Sequence, residues 1–169
     1  MKSLKSLYKI GRGPSSSHTM GPEKACRLFK SKYPQADKYV ATLFGSLSAT
    51  GKGHLTDVAI KETLGTDKTE VIFGATEGDF RHPNKMSMAA FNGGEKIGEE
   101  VYYSVGGGAV QTENGEPIEE KEVYPHNSFD EVKAFCLENN MKLWQYVEVF
   151  DETDIFDYLK KIWYAMKHC

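Results

Sequence analysis

The sequence predicts an α+β domain, a two-layer fold in which helices cover one face of a mixed, largely antiparallel sheet. Three observations carry that reading. Apolar residues recur at helical spacing in some segments and alternate at strand spacing in others. The strand-like segments cluster in the middle of the chain around glycine-rich turns, as hairpins require. At 169 residues, with 40% hydrophobic and 12% aromatic side chains, the chain is long and apolar enough for one domain with a real core.

Taken in order, Pro22 suits the first turn of a helix near 21–32, and Ala25, Leu28 and Phe29 supply its apolar face. A strand near 39–44 follows. A helix near 55–64 is stopped by Gly65. Residues 70–73 read as a short strand, and 85–91 as a half-buried one with Met86, Met88 and Ala90 on one face. A strand at 100–105 runs into Gly106-Gly107-Gly108, and Asn114-Gly115 marks a tight hairpin turn inside an acidic run, 113–122, that reads as solvated. Ser128-x-x-Glu131 is a capping box for a helix fading at Asn139-Asn140, and 144–150 reads as a last strand. From Asp154, the residues Ile155, Leu159, Ile162 and Met166, widened by Phe156 and Trp163, form one apolar helical stripe. That stripe wants a partner: it either folds back on this domain or begins another. The sequence contains no internal repeat.

The net charge of −3 offers no electrostatic footprint for nucleic acid. Lys2, Lys5, Lys9 and Arg12 make the start basic, but no apolar run follows them, so neither a secretory signal nor a membrane span is expected. The three cysteines, Cys26, Cys136 and Cys169, are scattered and without a Cys-x-x-Cys pair. They fit reduced thiols in a cytoplasm, and no metal ligand set is expected within the chain.

Four segments can carry chemistry. Ser15, Ser16, Ser17 and Thr19 place four hydroxyls around His18 just ahead of a helix. Free N–H groups and the dipole there attract anions, so the bend reads as a seat for a carboxylate or phosphate; a capped, flexible loop is the other reading. His18 and Ser17, being adjacent, are expected to point apart in an extended loop, which argues against a serine hydrolase, as does the lack of a nucleophile elbow. The second segment, Gly45 to Asp57, lies between a strand and a helix. It fails as a nucleotide P-loop, because five residues separate Gly45 from Gly51 and Gly53 follows Lys52. What remains is a flexible glycine loop presenting Lys52 and His54, or an ordinary connection with Lys52 solvated. Imidazole titrates near neutral pH, which suits His54 to proton transfer. Third, Pro83 holds His82 extended, so His82 and Asn84 present a ring nitrogen and an amide; a plain surface turn is the alternative. Fourth, Tyr103-Ser104-Val105 ends in three glycines, allowing close backbone approach or a bulge. His126 and His168 read as surface residues.

Together these pieces resemble the β domain, or β chain, of the bacterial iron–sulfur L-serine dehydratases. The resemblance rests on Gly13-Pro14-Ser15-Ser16-Ser17-His18-Thr19 with Gly21-Pro22, on Thr50-Gly51-Lys52-Gly53-His54 with Thr56-Asp57, on His82-Pro83-Asn84, and on Tyr103-Ser104-Val105-Gly106-Gly107-Gly108. These four motifs stand in the family's order and cover most of residues 8–110.

The resemblance implies a domain similar to the allosteric substrate-binding domain of some D-3-phosphoglycerate dehydrogenases. It also implies the conversion of L-serine to pyruvate and ammonia, with a 4Fe-4S cluster held by cysteines of a separate catalytic (α) domain or chain. Residues 1–152 would then be the β domain and 153–169 the opening helix of the catalytic one, in a cytoplasmic enzyme compatible with a homodimer. By resemblance His54 and His18 serve acid–base work, Ser15, Ser16, Ser17, Thr19 and Lys52 bind substrate, and His82 and Asn84 add polar contacts. Two departures stand out. Leu55 replaces the family's usual glycine after His54, stiffening the loop. Arg12 brings a cation beside the expected anion seat. The alternative is a regulatory module that binds serine or another small anion without taking part in chemistry.

Overall fold

In a computed structural model, which describes residues 1–114 and 122–168, the chain divides into two compact units. One is the continuous stretch Gly11–Ile118; the other joins Met1–Ile10 to Glu119–Cys169.

The continuous unit is built on a five-stranded mixed sheet with strands β1 (Lys38–Leu43), β2 (Thr69–Phe73), β3 (Lys85–Asn92), β4 (Glu95–Gly106) and β5 (Ala109–Thr112) in the order β2-β1-β3-β4-β5. Only β1 and β2 are parallel. Parallel neighbours need a crossover, which the helices of residues 46–64 supply. The α+β expectation with a mixed sheet is met. Alternation does the work: Tyr39, Ala41 and Leu43 face the core and pair across the ladder with Ala90, Met88 and Met86, all buried. Against that face pack α2 (Gly21–Lys32), through Ala25, Cys26 and Phe29, and α4 (Thr56–Leu64), through Ile60 and Leu64. Gly65 caps α4 as expected, its N–H donating to the Lys61 carbonyl. The triple glycine forms the β4–β5 turn, all three residues at positive φ, with a register shift at Ser104/Gly106.

The expected flexible loop after β1 is largely helical. Ser46–Thr50 forms α3, and Gly51 sits in ordinary helical geometry where a Cβ would lie 2.2 Å from the Leu47 carbonyl oxygen. That glycine serves close packing, not mobility.

The second unit contains α1 (Leu4–Leu7), α5 (Phe129–Glu138), α6 (Leu143–Phe150) and α7 (Ile155–Lys167). Ser128 caps α5, accepting the Glu131 N–H, and Asn140 turns the chain at positive φ just after it. The expected strand at 144–150 is instead α6. Its apolar run fits two periods, but the inward residues are Tyr146, fully covered, with Val147 and Phe150 beside it, and that spacing is helical. His126 is also not a simple surface residue. Its Nδ1 lies 2.8 Å from the Tyr146 hydroxyl, and its ring packs on Phe135, Tyr146 and Phe150. On α7, Ile155 and Ile162 are buried while Phe156, Trp163 and Met166 are exposed. The predicted turn at Asn114-Gly115, most of the acidic run to Glu122, and Cys169 lie outside the described residues.

Candidate active site

The hydroxyl-rich bend is not extended. Residues Ser16–Met20 form one π-helical turn that runs straight into α2. Ser15 caps it: its carbonyl accepts the Thr19 and Met20 N–H groups, and its Oγ accepts the His18 N–H at 3.1 Å. The wider turn swings Ser17 and His18 together, so that Ser17 Oγ lies 2.9 Å from His18 Nδ1, contrary to the expectation for an extended loop. On the other edge of the ring, His18 Nε2 meets Ser46 Oγ at 3.0 Å.

Ser46 is the first residue of α3, delivered there by Gly45. Gly45 has φ of 56°, and a Cβ on it would lie 2.3 Å from the Pro83 carbonyl oxygen. The Ser46 N–H donates to that same oxygen at 2.7 Å, tying the loop after β1 to the His82-Pro83-Asn84 segment. Further along the loop, the His54 ring stands 4.7 Å from the His18 ring, centre to centre. His54 Nδ1 lies 3.0 Å from the Thr50 carbonyl oxygen. A carbonyl only accepts, so Nδ1 carries the proton and Nε2 of the neutral ring keeps its lone pair.

His82 Nδ1 accepts the Asn84 N–H at 3.1 Å, and Asn84 Nδ2 donates to the Ser104 carbonyl at 3.1 Å. That second bond orients the amide and leaves Asn84 Oδ1 buried and unpartnered, as is Ser104 Oγ. Ser104 packs on Gly21 at the head of α2, where a Cβ would come within 2.0 Å of its hydroxyl. All four sequence motifs are therefore linked by contacts around the π turn and the head of α2.

The remaining expected site residues differ in disposition. Ser16 is exposed, Ser15 and Ser17 are half-buried, and Thr19 is fully buried, its hydroxyl donating to the His54 carbonyl. Lys52 lies over the Phe73 ring, its Nζ 5.3 Å from the ring centre. Arg12 is paired with Glu62, which neutralises the cation expected beside the anion seat. Burial holds the His18 imidazole below its ordinary basicity; the nearby His54 ring pushes it lower still, and the hydrogen bond to Ser46 opposes both. Sequence reasoning gave no role to Ser46, and carried Thr56 and Ser104 only as motif members without assigning them to the site. For Ser46 the only local signal is its place directly after the glycine that ends β1.

The profile of the serine dehydratase beta chain family matches residues 3–72 and 61–115. This chain belongs to that family. It is 29% identical to L-serine dehydratase 1 of Escherichia coli (strain K12), the alignment covering 100% of this chain and 48% of that protein. It is 32% identical to the L-serine dehydratase of Helicobacter pylori (strain J99), over 99% of this chain and 47% of the other. For the L-serine dehydratase of Streptomyces coelicolor the figures are 29%, 96% and 48%. The chain spans about half the length of these curated relatives. The π turn, the β1–α4 loop, the His82 segment and β4 all fall inside the part matched by the serine dehydratase beta chain profile.

Proposed function

We propose that this chain is the β domain of an L-serine ammonia-lyase that converts L-serine to pyruvate and ammonia, and that it supplies substrate-binding and acid–base groups to a site completed by a catalytic domain. The observation that carries the reading is the pair of imidazoles, 4.7 Å apart, beside a hydroxyl-lined helix start.

The substrate carboxylate sits at the start of the π turn, where helical geometry leaves the first N–H groups without intrahelical partners and Ser15, Ser16 and Ser17 add hydroxyls. Thr19 is buried, so in this reading it contributes to the site's framework and Ser15 to Ser17 make the contacts. His54 takes the α-proton on Nε2, the nitrogen its bond to Thr50 leaves unprotonated. The β-hydroxyl departs as water after receiving a proton from the imidazole pair. We assign the delivery to His18, with Ser17 and Ser46 on its two ring nitrogens, which draws that proton from the newly protonated His54 ring beside it. The resulting enamine tautomerises to an imine, and water hydrolyses that to pyruvate and ammonia. Lys52, His82 and Asn84 support the bound substrate.

The family resemblance also assigns a 4Fe-4S cluster acting as Lewis acid on the leaving hydroxyl. The described residues do not fit such a group: Cys26 and Cys136 are each buried in a different apolar cluster, and no three His, Cys, Asp or Glu side chains gather to hold a metal. We place its ligands in the catalytic domain, which the helix of residues 153–169 would open. The cytoplasmic setting and the likeness to the substrate-binding domain of D-3-phosphoglycerate dehydrogenase belong to the same proposal; no helix among the described residues is long and apolar enough to cross a membrane.

The test is His54→Ala in a longer protein that carries this chain and is active on serine. Turnover should fall by about 10²-fold or more, as expected on losing a general base. Unchanged turnover would remove His54 from the chemistry. Serine binding by the 169-residue chain alone, measured calorimetrically, would favour the regulatory reading.

A further inference from the structure

We propose that Thr19 and Thr56 form a crossed lock that sets the separation of the His18 and His54 rings, which makes both threonines positioning residues. The proposal rests on the acid–base reading above but concerns residues to which that reading gives no contact with substrate.

Thr19 follows His18 in the chain, yet its hydroxyl donates to the backbone carbonyl of His54 at 3.1 Å. Thr56 lies just beyond His54, yet its hydroxyl donates to the carbonyl of His18 at 2.6 Å. Each imidazole's peptide is thus held by a residue one or two positions beyond the other imidazole. The habit of helical threonine is different: its hydroxyl usually returns to a carbonyl four residues back. Thr50 and Thr63 do that here, bonding Ser46 and Ala59. Thr19 and Thr56 instead reach across 35 and 38 residues.

Both threonines are 0% exposed; the bond to His18 is buried and the bond to His54 half-buried, so removing either hydroxyl takes a shielded donor from its carbonyl. Between the acceptor at His54 and the donor at Thr56 stands Leu55, in the left-handed region with φ of 57°. Such a conformation persists in a branched residue only where its surroundings impose it. Two bonds on either side of that one residue supply the constraint.

Valine keeps the shape of threonine without its hydroxyl, and serine keeps the hydroxyl. In the 169-residue chain, His54→Gln should raise the titration midpoint of His18, followed by histidine ring proton NMR. The same rise is expected with Thr19→Ser and Thr56→Ser. With Thr19→Val or Thr56→Val most of it should vanish, along with the ring-to-ring nuclear Overhauser effect. A folded valine chain that keeps the full response and the ring contact overturns the proposal. Should the valine chains fail to fold, the unaltered chain still decides: both threonine hydroxyl protons should exchange slowly enough to be seen, and hydroxyls in fast exchange with water overturn it. In a longer, active protein, each valine change should lower kcat about 10²-fold with KM little moved, and serine should restore it. Loss of the NMR response with turnover unchanged leaves the lock standing and removes the acid–base reading instead.

Discussion

Gly45 and Leu55 both have positive φ, 56° and 57°, and their substitutions should act in opposite directions. Leu55, with ψ of 31°, is in the left-handed helical region, whereas Gly45, with ψ of −129°, is in one that favours glycine. At Gly45 a Cβ would press on the Pro83 carbonyl oxygen, so Gly45→Ala combines strain with a steric clash. It should cost more than about 2 kcal/mol in denaturant unfolding. Leu55 is 44% exposed and loses little burial when truncated. Leu55→Gly, which relieves the left-handed strain, should therefore stabilise the fold by about 1 kcal/mol. His18 gives a pH signature of its own. Its imidazole is less basic in the folded chain than the ordinary value of 6.5, so the unfolded chain takes up the proton first. Its contribution to stability is complete above 6.5 and is lost as pH falls from there through the folded value. In urea melts between pH 7 and 5, His18→Gln should flatten the acid-side loss; an unchanged slope would refute the assignment. At this scale the four motifs were legible because each is a short run with chemistry in its residue types. The hydrogen bonds of Ser46 and Thr56 were not, since a contact spanning 28 or 38 residues leaves no local pattern.

At the scale of elements, most of the sheet and both helices that pack on it could be read from the chain, because Tyr39-x-Ala41-x-Leu43 and Met86-x-Met88-x-Ala90 alternate cleanly over a one-sided core. The π turn could not, since a run of three serines fits a cap, a loop or a helix equally well. Residues 143–150 were ambiguous for a different reason: they are apolar at both periods, and only contacts from α5 and from residues 123–126 select the helix. Tyr146 is 3% exposed, stacks on Tyr124 with ring centres 5.6 Å apart and meets His126, whereas Trp144 is 52% exposed. A strand would put 144 and 146 on one face; the helix separates them. Tyr146→Ala should cost about 3–4 kcal/mol in the stability of its unit, and Trp144→Ala less than about 0.5 kcal/mol. Comparable losses from the two would restore the strand.

For the whole molecule, the two units differ in how the chain builds them. Gly11–Ile118 is continuous and holds its own core, from Phe29 on α2 through Leu43, Met86 and Met88 on the sheet to Ile60 and Leu64 on α4. The other unit is discontinuous, and its N-terminal strip is fastened to the C-terminal part by buried polar groups. The Asp151 carboxylate accepts from Ser3 Oγ at 2.6 Å, from the Leu4 N–H at 3.1 Å, from the Glu152 N–H at 2.8 Å and from the Tyr124 hydroxyl. Burial by itself would raise this carboxyl, but the four donors outweigh it and hold it below the ordinary value of 3.8. The stability it contributes is present above that value and is lost as pH falls through the lower folded one. Cutting the chain between the units should therefore have unequal results. The excised segment 11–118 should fold alone, with dispersed NMR signals and the His18–His54 ring contact intact. Segment 122–168 should not fold, because Asp151 would be buried without two of its donors and the Tyr124 carbonyl would lose the Met1 ammonium that binds it at 2.9 Å. Adding a peptide of residues 1–10 in trans should restore helical circular dichroism to that segment, less well below pH 4 than at pH 7. A peptide with Ser3→Ala should do so more weakly by about 1–2 kcal/mol. Spontaneous folding of 122–168 without the peptide would show that the N-terminal strip only decorates this unit.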